Sequence, residues 1–498
     1  LPPSLPAFSH SSLSRHYSLS LPPRCSGMAS SLPVSVVGGG PAGSLAALML
    51  ARRGYAVRLF EGREDPRSGA PRVEGPQDAD ASLLKSASAS KRSINLALSH
   101  RGLCAIARVD EALAKRVLEE AVPMRGRIIH GRDGKLSLQP YGTEEDEVLY
   151  SIGRQRINVF LLEELRAAEA KPAGSPGSVV TTFGAKLAYA SRDGSLEFET
   201  PDGTISTTPG RVLGCDGAFS ATRKAMGRMC RLSVSLEYID HGYKEMTMAP
   251  AADGSYRMPA GGLHIWPGSD VMLIALPNLD GSFTCTIFGD FTVLESLKTA
   301  QQVEAFFGSH WPDSLELIPD LAEQYLANPN GALSTVRCGP WHLDDRFLLL
   351  GDAAHAVVPF YGQGMNCALE DCLALDDMLD RFSDDWSAAL PFYYSSRKPA
   401  TDALADLALD NYIEMRDKTV SRVFALKSRV DRALNAILPR GAWQPSLHTA
   451  VSFTSMPYHK ARAVCEKQDR ILLRAATSVA IMGLAGIFTV ASRCRKRT

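Results

Sequence analysis

The chain has 498 residues, 45% hydrophobic and 22% charged, and its 54 Lys plus Arg balance 54 Asp plus Glu for a formal net charge of zero. That length and apolar mass suit buried cores and exclude a collagen, a disordered chain, a disulfide scaffold and a multi-span membrane protein, while balanced charge gives no reason to expect nucleic-acid binding. The ten cysteines contain no CxxC pair, so neither a zinc site nor a thioredoxin-type motif is expected, no metal is expected, and a reduced intracellular chain is the simplest reading.

Residues 1–32 hold Arg, Ser, Leu and Pro but no Asp or Glu; the first acidic residue is Glu61. Such a segment has the composition of an organelle-targeting leader. The alternative is translation from Met28, which stands just ahead of the first strand, with an artefact upstream. The β-branched run Pro33–Val37 predicts a buried strand. It leads into Gly38-Gly39-Gly40-Pro41-Ala42-Gly43, then an Ala/Leu/Met-rich helix, then a strand AVRLFE ending in Glu61. In a dinucleotide-binding unit Gly38 allows the tight turn, Gly40 admits a pyrophosphate and Gly43 lets helix and strand pack closely. The helix N-terminus offers free N–H groups to phosphate, and Glu61 accepts from ribose hydroxyls. This unit alone does not choose between FAD and NAD(P). Residues 68–91, rich in Ala, Ser, Gly and Pro, read as a surface loop.

Farther along, Arg127 lies in RIIH before the turn His130-Gly131-Arg132-Asp133-Gly134, and Tyr141 lies on the returning segment. A hairpin brings the two together, and guanidinium plus phenol makes a carboxylate clamp; a surface Arg and a core Tyr are the bland alternative. At 211–223 an apolar strand ends in Asp216-Gly217 ahead of Ser220 and Arg223, opening a helix. At 346–359 another strand delivers Gly351-Asp352-Ala353-Ala354-His355, and Gly362-Gln363-Gly364-Met365-Asn366 starts a further helix whose N–H groups suit an anionic ring. Asn411 sits on the helical pattern LADLALDNYIEMR. Finally, the 18 residues 475–492 carry no charge and lie between Arg474 and the basic tail Arg493, Arg495, Lys496, Arg497. As a helix they span about 27 Å, which predicts a tail anchor, with a buried closing helix or a surface-lying helix as the alternatives.

GxGxxG, DGxxSxxR and GDAAH, in this order, resemble the flavoprotein aromatic hydroxylases. The runs RSINLALSHRG (92–102), PMRGRIIH (123–130), HGYKE (241–245), LHIWP (263–267), VPFYGQGMN (358–366) and NYIEMR (411–416) narrow the resemblance to the kynurenine 3-monooxygenase family, from Val34 to about Tyr458. The resemblance implies FAD and NADPH as cofactors, with Asp352 on the ribityl chain and Asp216 in a motif linked to both. It carries flavin contacts over to Gly38, Gly40, Ala42, Gly43, Glu61, Arg63, Ala97, Arg154, Met365 and Asn366, with the 359–363 segment flanking the reactive face. It implies L-kynurenine bound by Arg127, Tyr141 and Asn411. A family Tyr aligns with His448, which is able to donate a hydrogen bond and to carry charge near neutral pH. His100 and His355 are taken as structural, and no side chain is expected to be catalytic, since the chemistry lies on the flavin.

The activity implied is hydroxylation of L-kynurenine to 3-hydroxykynurenine by O2 through a flavin C4a-hydroperoxide. The alternatives are a hydroxylase of another anthranilate-like amine, which His448 favours, and a flavin-dependent reductase. The location implied is the mitochondrial outer membrane, tail-anchored, with the catalytic part facing the cytosol; nothing in the sequence sets an oligomeric state. The expected architecture is an α/β, Rossmann-like FAD-binding domain with an interleaved β-rich substrate domain and a helical C-terminal region. The divisions are 33–227 for the FAD domain with an excursion into the substrate sheet, 228–345 mainly substrate domain, 346–470 the GD segment and helical cap, and 471–498 the anchor and basic tail.

Overall fold

The computed structural model describes residues 32–67, 95–131, 133–142, 144–268, 270–413, 422–439, 441–444 and 446–495. Residues 1–31 of the leader and the 68–91 loop lie outside these residues.

A six-stranded sheet forms the nucleotide-binding layer. Its order is His342–Leu343, Phe347–Leu349, Arg211–Gly214, Val34–Val37, Val57–Glu61, Val179–Phe183. All pairs are parallel except the short outer one. Val34–Val37 is buried at every position, as expected for a parallel strand covered on both faces. The helix Pro41–Arg52 follows without a side-chain cap, with Pro41 in its first turn. Proline costs nothing there, because the N–H it lacks has no partner inside the helix.

The second layer is a seven-stranded sheet in the order Gly331–Gly339, Ser233–Met248, Phe283–Asp290, Val271–Pro277, Leu263–Pro267, Gly126–His130, Leu136–Pro140. The chain therefore enters this sheet twice, once from within the nucleotide-binding segment. Side chains alternate across it, as the period of two requires. Trp266, Leu273, Met246 and Met248 pack on the helices between Phe291 and Ala327. Ile129, Ile265 and Met272 face the other way, toward Val358, Phe360, Tyr361 and the helix Trp386–Ile413.

The C-terminal helices Gly364–Arg381, Trp386–Ile413, Arg422–Ile437, Leu447–Ser452 and Tyr458–Arg495 complete the fold. The last helix runs through the uncharged 475–492 stretch. Most of the side chains of that stretch, which carry the anchor expectation, lie outside the described residues. Among the described residues no helix is long and apolar enough to cross a membrane.

Candidate active site

The three glycine- and acid-bearing motifs converge at one end of the parallel sheet. Gly38 has φ +103°, and a Cβ there would lie 2.4 Å from the Cys215 carbonyl oxygen, beside Asp216. A Cβ on Gly43 would lie 1.8 Å from the Gly38 oxygen. A Cβ on Gly351, just before Asp352, would come within 3.7 Å of the Ala42 Cβ. Gly40, in contrast, faces open space, with no protein atom within 4 Å of its missing Cβ.

Two of the acids are engaged by protein donors. The Glu61 carboxylate accepts from the Gly39 N–H at 2.7 Å and from the Arg63 N–H at 2.9 Å and Nε at 2.8 Å. Burial raises its pKa, but the Arg63 guanidinium and the two N–H groups outweigh burial and hold the carboxyl below its usual range. Arg63, expected at the flavin, is thus clamped to Glu61 from the solvent side. Asp216 accepts from the Thr222 N–H at 2.9 Å, the Thr222 hydroxyl at 3.1 Å and the Ser220 hydroxyl, so it caps the helix Ala221–Met229. Arg223, the last residue of DGxxSxxR, donates to the Ala353 carbonyl at 2.7 Å and ties this cap to the Asp352 turn. Arg154 opens the helix Arg154–Glu164 and is exposed.

The turn Gly362–Gln363 and the helix Gly364–Arg381 face the strand Asn95–Leu98. The Asn366 side chain holds them together, donating to the Ala97 carbonyl at 2.8 Å and accepting from the Ser99 N–H at 2.9 Å. Its amide is therefore spent on the protein. Met365 beside it is half-buried. Gln363 is 1% exposed, yet its Nε2 has no hydrogen-bond partner in the protein. An unmet buried donor is costly, so this amide is set to meet an acceptor from a bound group. Together with the free helix N–H groups and open Gly40, the residues fit FAD.

The substrate residues come together next to this turn. Gly126–His130 pairs antiparallel with Leu136–Pro140, Arg127 opposite Gln139, so the expected hairpin is present. Arg127 and Tyr141 are both buried, and the Arg127 side chain hydrogen-bonds the Tyr141 phenol. Burial pushes that phenol up to about 12 against the opposing effect of Arg127, so it stays a protonated donor. The His448 ring stacks on Tyr141, centroids 4.9 Å apart and planes at 13°, and on Tyr361 at 5.9 Å and 19°. Asn411 is buried and donates to the Phe360 carbonyl at 2.8 Å. Phe360 in turn stacks on Tyr412 at 4.1 Å and meets Phe288 edge-on at 5.1 Å. A cation, a phenol and an amide thus lie among a cluster of aromatic rings, a set of groups whose chemistry suits an amino-acid carboxylate and an aryl ring. Tyr361 and Gln363 lay inside a quoted run, but only the fold distinguishes their roles from those of their neighbours.

One expectation is corrected. His448 does not carry charge near neutral pH: burial first, and the nearby Arg127 charge second, push its pKa well below the ordinary value. His264, on the opposite face of the sheet, is held neutral too, lowered to about 4 chiefly by burial. Both imidazoles titrate near about 6.5 in the unfolded chain, which therefore binds more protons than the fold at lower pH. The contribution of these two imidazoles to stability is accordingly fully present above that value and is lost as pH falls below it. His448→Gln is expected to lose less stability between pH 7.5 and 5.5 than the unsubstituted protein in urea titrations; equal losses would contradict a neutral His448.

Comparison with known proteins agrees with this geometry. Residues 332–408 match the FAD binding domain family and 36–78 the NAD(P)-binding Rossmann-like domain family. The chain is 41% identical over 471 residues to the kynurenine 3-monooxygenase of Salinispora tropica, covering 93% of this chain and 97% of that one. It is 38% identical over 443 residues to the kynurenine 3-monooxygenase of Sus scrofa, covering 88% of each. The chain belongs to the kynurenine 3-monooxygenase family. Among solved structures, Pseudomonas aeruginosa PqsL in complex with 2-aminobenzoylacetate superposes with a TM-score of 0.60 at 18% identity, over 78% of this chain and 97% of that one. 2-Methyl-3-hydroxypyridine-5-carboxylic acid oxygenase does so with 0.59 at 18%, over 82% and 96%. At that identity these two show the fold alone. As a kynurenine 3-monooxygenase family member the protein is an FAD-dependent monooxygenase that uses FAD and NADPH.

Proposed function

We propose that the enzyme hydroxylates L-kynurenine beside its ring amino group, giving 3-hydroxykynurenine. The observation that carries this reading is the meeting of Arg127, Tyr141, His448 and Asn411 next to the Gly362–Asn366 turn. FAD held there would supply the two-electron chemistry between NADPH and O2. One oxygen atom enters the ring and the other leaves as water. The Arg127 guanidinium binds the substrate carboxylate and the Tyr141 phenol donates to it. Phe360, Tyr361 and Tyr412 hold the ring and keep water away while the oxygen is transferred. Neutral His448 and Asn411 offer polar atoms to the amino-acid end. Asp352 would hold the ribityl chain, Glu61 the ribose, Gly40 and the helix Pro41–Arg52 the pyrophosphate, and the Gln363 amide an acceptor on the ring.

The test is NADPH consumption with and without L-kynurenine, with the product weighed by mass spectrometry. Gain of one oxygen atom, matched to NADPH consumed, is the expected result. NADPH consumption that yields only peroxide with L-kynurenine, but a hydroxylated product with another aminobenzoyl compound, would favour the related hydroxylase that His448 suggests.

We propose, from the family resemblance together with the uncharged stretch 475–492 between basic flanks, a tail anchor in the mitochondrial outer membrane with the catalytic part facing the cytosol. A chain ended at Arg474 should move to the supernatant while the full chain sediments with mitochondrial membranes. Equal distribution of the two would remove the anchor.

A further inference from the structure

Behind the site lies a buried chain of alternating charges. Asp371, fully buried, accepts from the Gly351 N–H at 3.0 Å, immediately before the Asp352 turn, and from His355. Arg397 donates to Asp371 at 2.8 Å and to Glu370 at 2.8 Å. Arg101 donates to the other oxygen of Glu370 at 2.5 Å. Arg101 then reaches the Val451 carbonyl at 2.8 Å and the Met456 carbonyl, with its guanidinium 4.1 Å over the Tyr458 ring. Val451 is on the helix Leu447–Ser452, which carries His448, and the Thr449 hydroxyl of that helix donates to the Tyr141 carbonyl at 3.0 Å. Two residues before Arg101, the Ser99 N–H meets Asn366.

Arg101 is 1% exposed, Glu370 9%, Asp371 0% and Arg397 7%. Burying four charges costs desolvation that apolar residues of the same volume would avoid, so a network of this kind is weak evidence for stability. Its return is geometric. Arg101 and Arg397 bind at fixed angles, and the network has one end on the Gly351–Asp352 turn and the other on the helix that carries His448 and bonds the Tyr141 carbonyl.

We propose that Arg101 is a positioning residue for the reaction. It acts through Glu370, Arg397 and Asp371 on the Gly351–Asp352 turn, and through the Val451 and Met456 carbonyls on the helix bearing His448. It thereby sets how the substrate ring sits relative to the flavin. Lysine keeps the charge but not the fork, so it cannot serve Glu370 and both carbonyls at once. A misplacement of about an ångström suffices to uncouple oxygen transfer from flavin oxidation.

The inference rests on the hydroxylation proposed above, so the unsubstituted holoenzyme is assayed first; no hydroxylated product there defeats that reading, not this one. With turnover established, Arg101→Lys and Glu370→Gln are compared per bound flavin, in the full chain. Expected are a KM for L-kynurenine raised about tenfold, a larger share of NADPH lost to peroxide, and a changed flavin difference spectrum on adding L-kynurenine. A merely structural Arg101 would lower the melting temperature or flavin content and leave those three readouts unmoved in whichever variant retains flavin. That result would overturn the proposal, as would loss of bound flavin in both variants, since the network would then be maintaining the fold rather than the geometry of transfer.

Discussion

Replacing Arg127 by alanine is expected to raise the KM for L-kynurenine by roughly 100-fold or more, while the purified protein keeps its flavin. The side chain is 8% exposed and its strand is held on both sides, by Gln139 on one and Leu263 on the other. The guanidinium therefore cannot swing into solvent, and no other described side chain of the cluster brings a fixed positive charge: His448 is neutral and Asn411 is an amide. A carboxylate entering the alanine variant gives up its water and meets no fixed positive charge, only the Tyr141 phenol and the neutral polar atoms of its neighbours. Removing one partner of a buried charge pair costs roughly 2–5 kcal/mol, and each 1.4 kcal/mol is about tenfold. The flavin contacts lie on other elements, so FAD content should hold. Titrating L-kynurenine against the flavin absorbance, together with KM, measures the loss. A KM within about twofold of the parent's would place the carboxylate elsewhere.

Gly43→Ala should abolish flavin binding altogether and destabilise the nucleotide-binding layer by roughly 3 kcal/mol. The new methyl group would lie 1.8 Å from the Gly38 oxygen, with the Cys215 Cβ at 3.2 Å behind it. Gly38 cannot retreat, because its own left-handed turn is pressed on the Cys215 carbonyl. Relief requires the helix Pro41–Arg52 to lift off the strand, which displaces the N–H groups that would hold the pyrophosphate. Gly40→Ala is the contrasting case. Its methyl group meets no protein atom within 4 Å, so the apoprotein should unfold at the same urea concentration as the parent, yet bind FAD poorly. Normal flavin content in Gly43→Ala, or normal FAD affinity in Gly40→Ala, would show that the loop is not the cradle.

Much of the nucleotide-binding layer was readable before any folding was considered. The turn at Gly38, the helix behind Pro41 and the acid at Glu61 are neighbours in sequence, and their requirements are local ones of φ, close packing and free N–H groups. The hairpin that pairs Arg127 with the approach to Tyr141 belongs to the same class. The engagement of Arg63 with Glu61 is local too, but residue type alone did not show that the guanidinium would turn to the carboxylate beside it.

By itself, the amino-acid order determined the strand–turn–helix–acid unit, the two later acid turns and the family to which they point, because each depends on residues a few positions apart. Tertiary structure decided the rest. It placed the Thr449 hydroxyl on the carbonyl of Tyr141, 308 positions away, stacked His448 between two tyrosines, and joined Arg101 to Asp371 through two intervening charges. It also set the charge of His448, since a side chain's proton is governed by the water and the charges around it, and those neighbours come from distant parts of the chain.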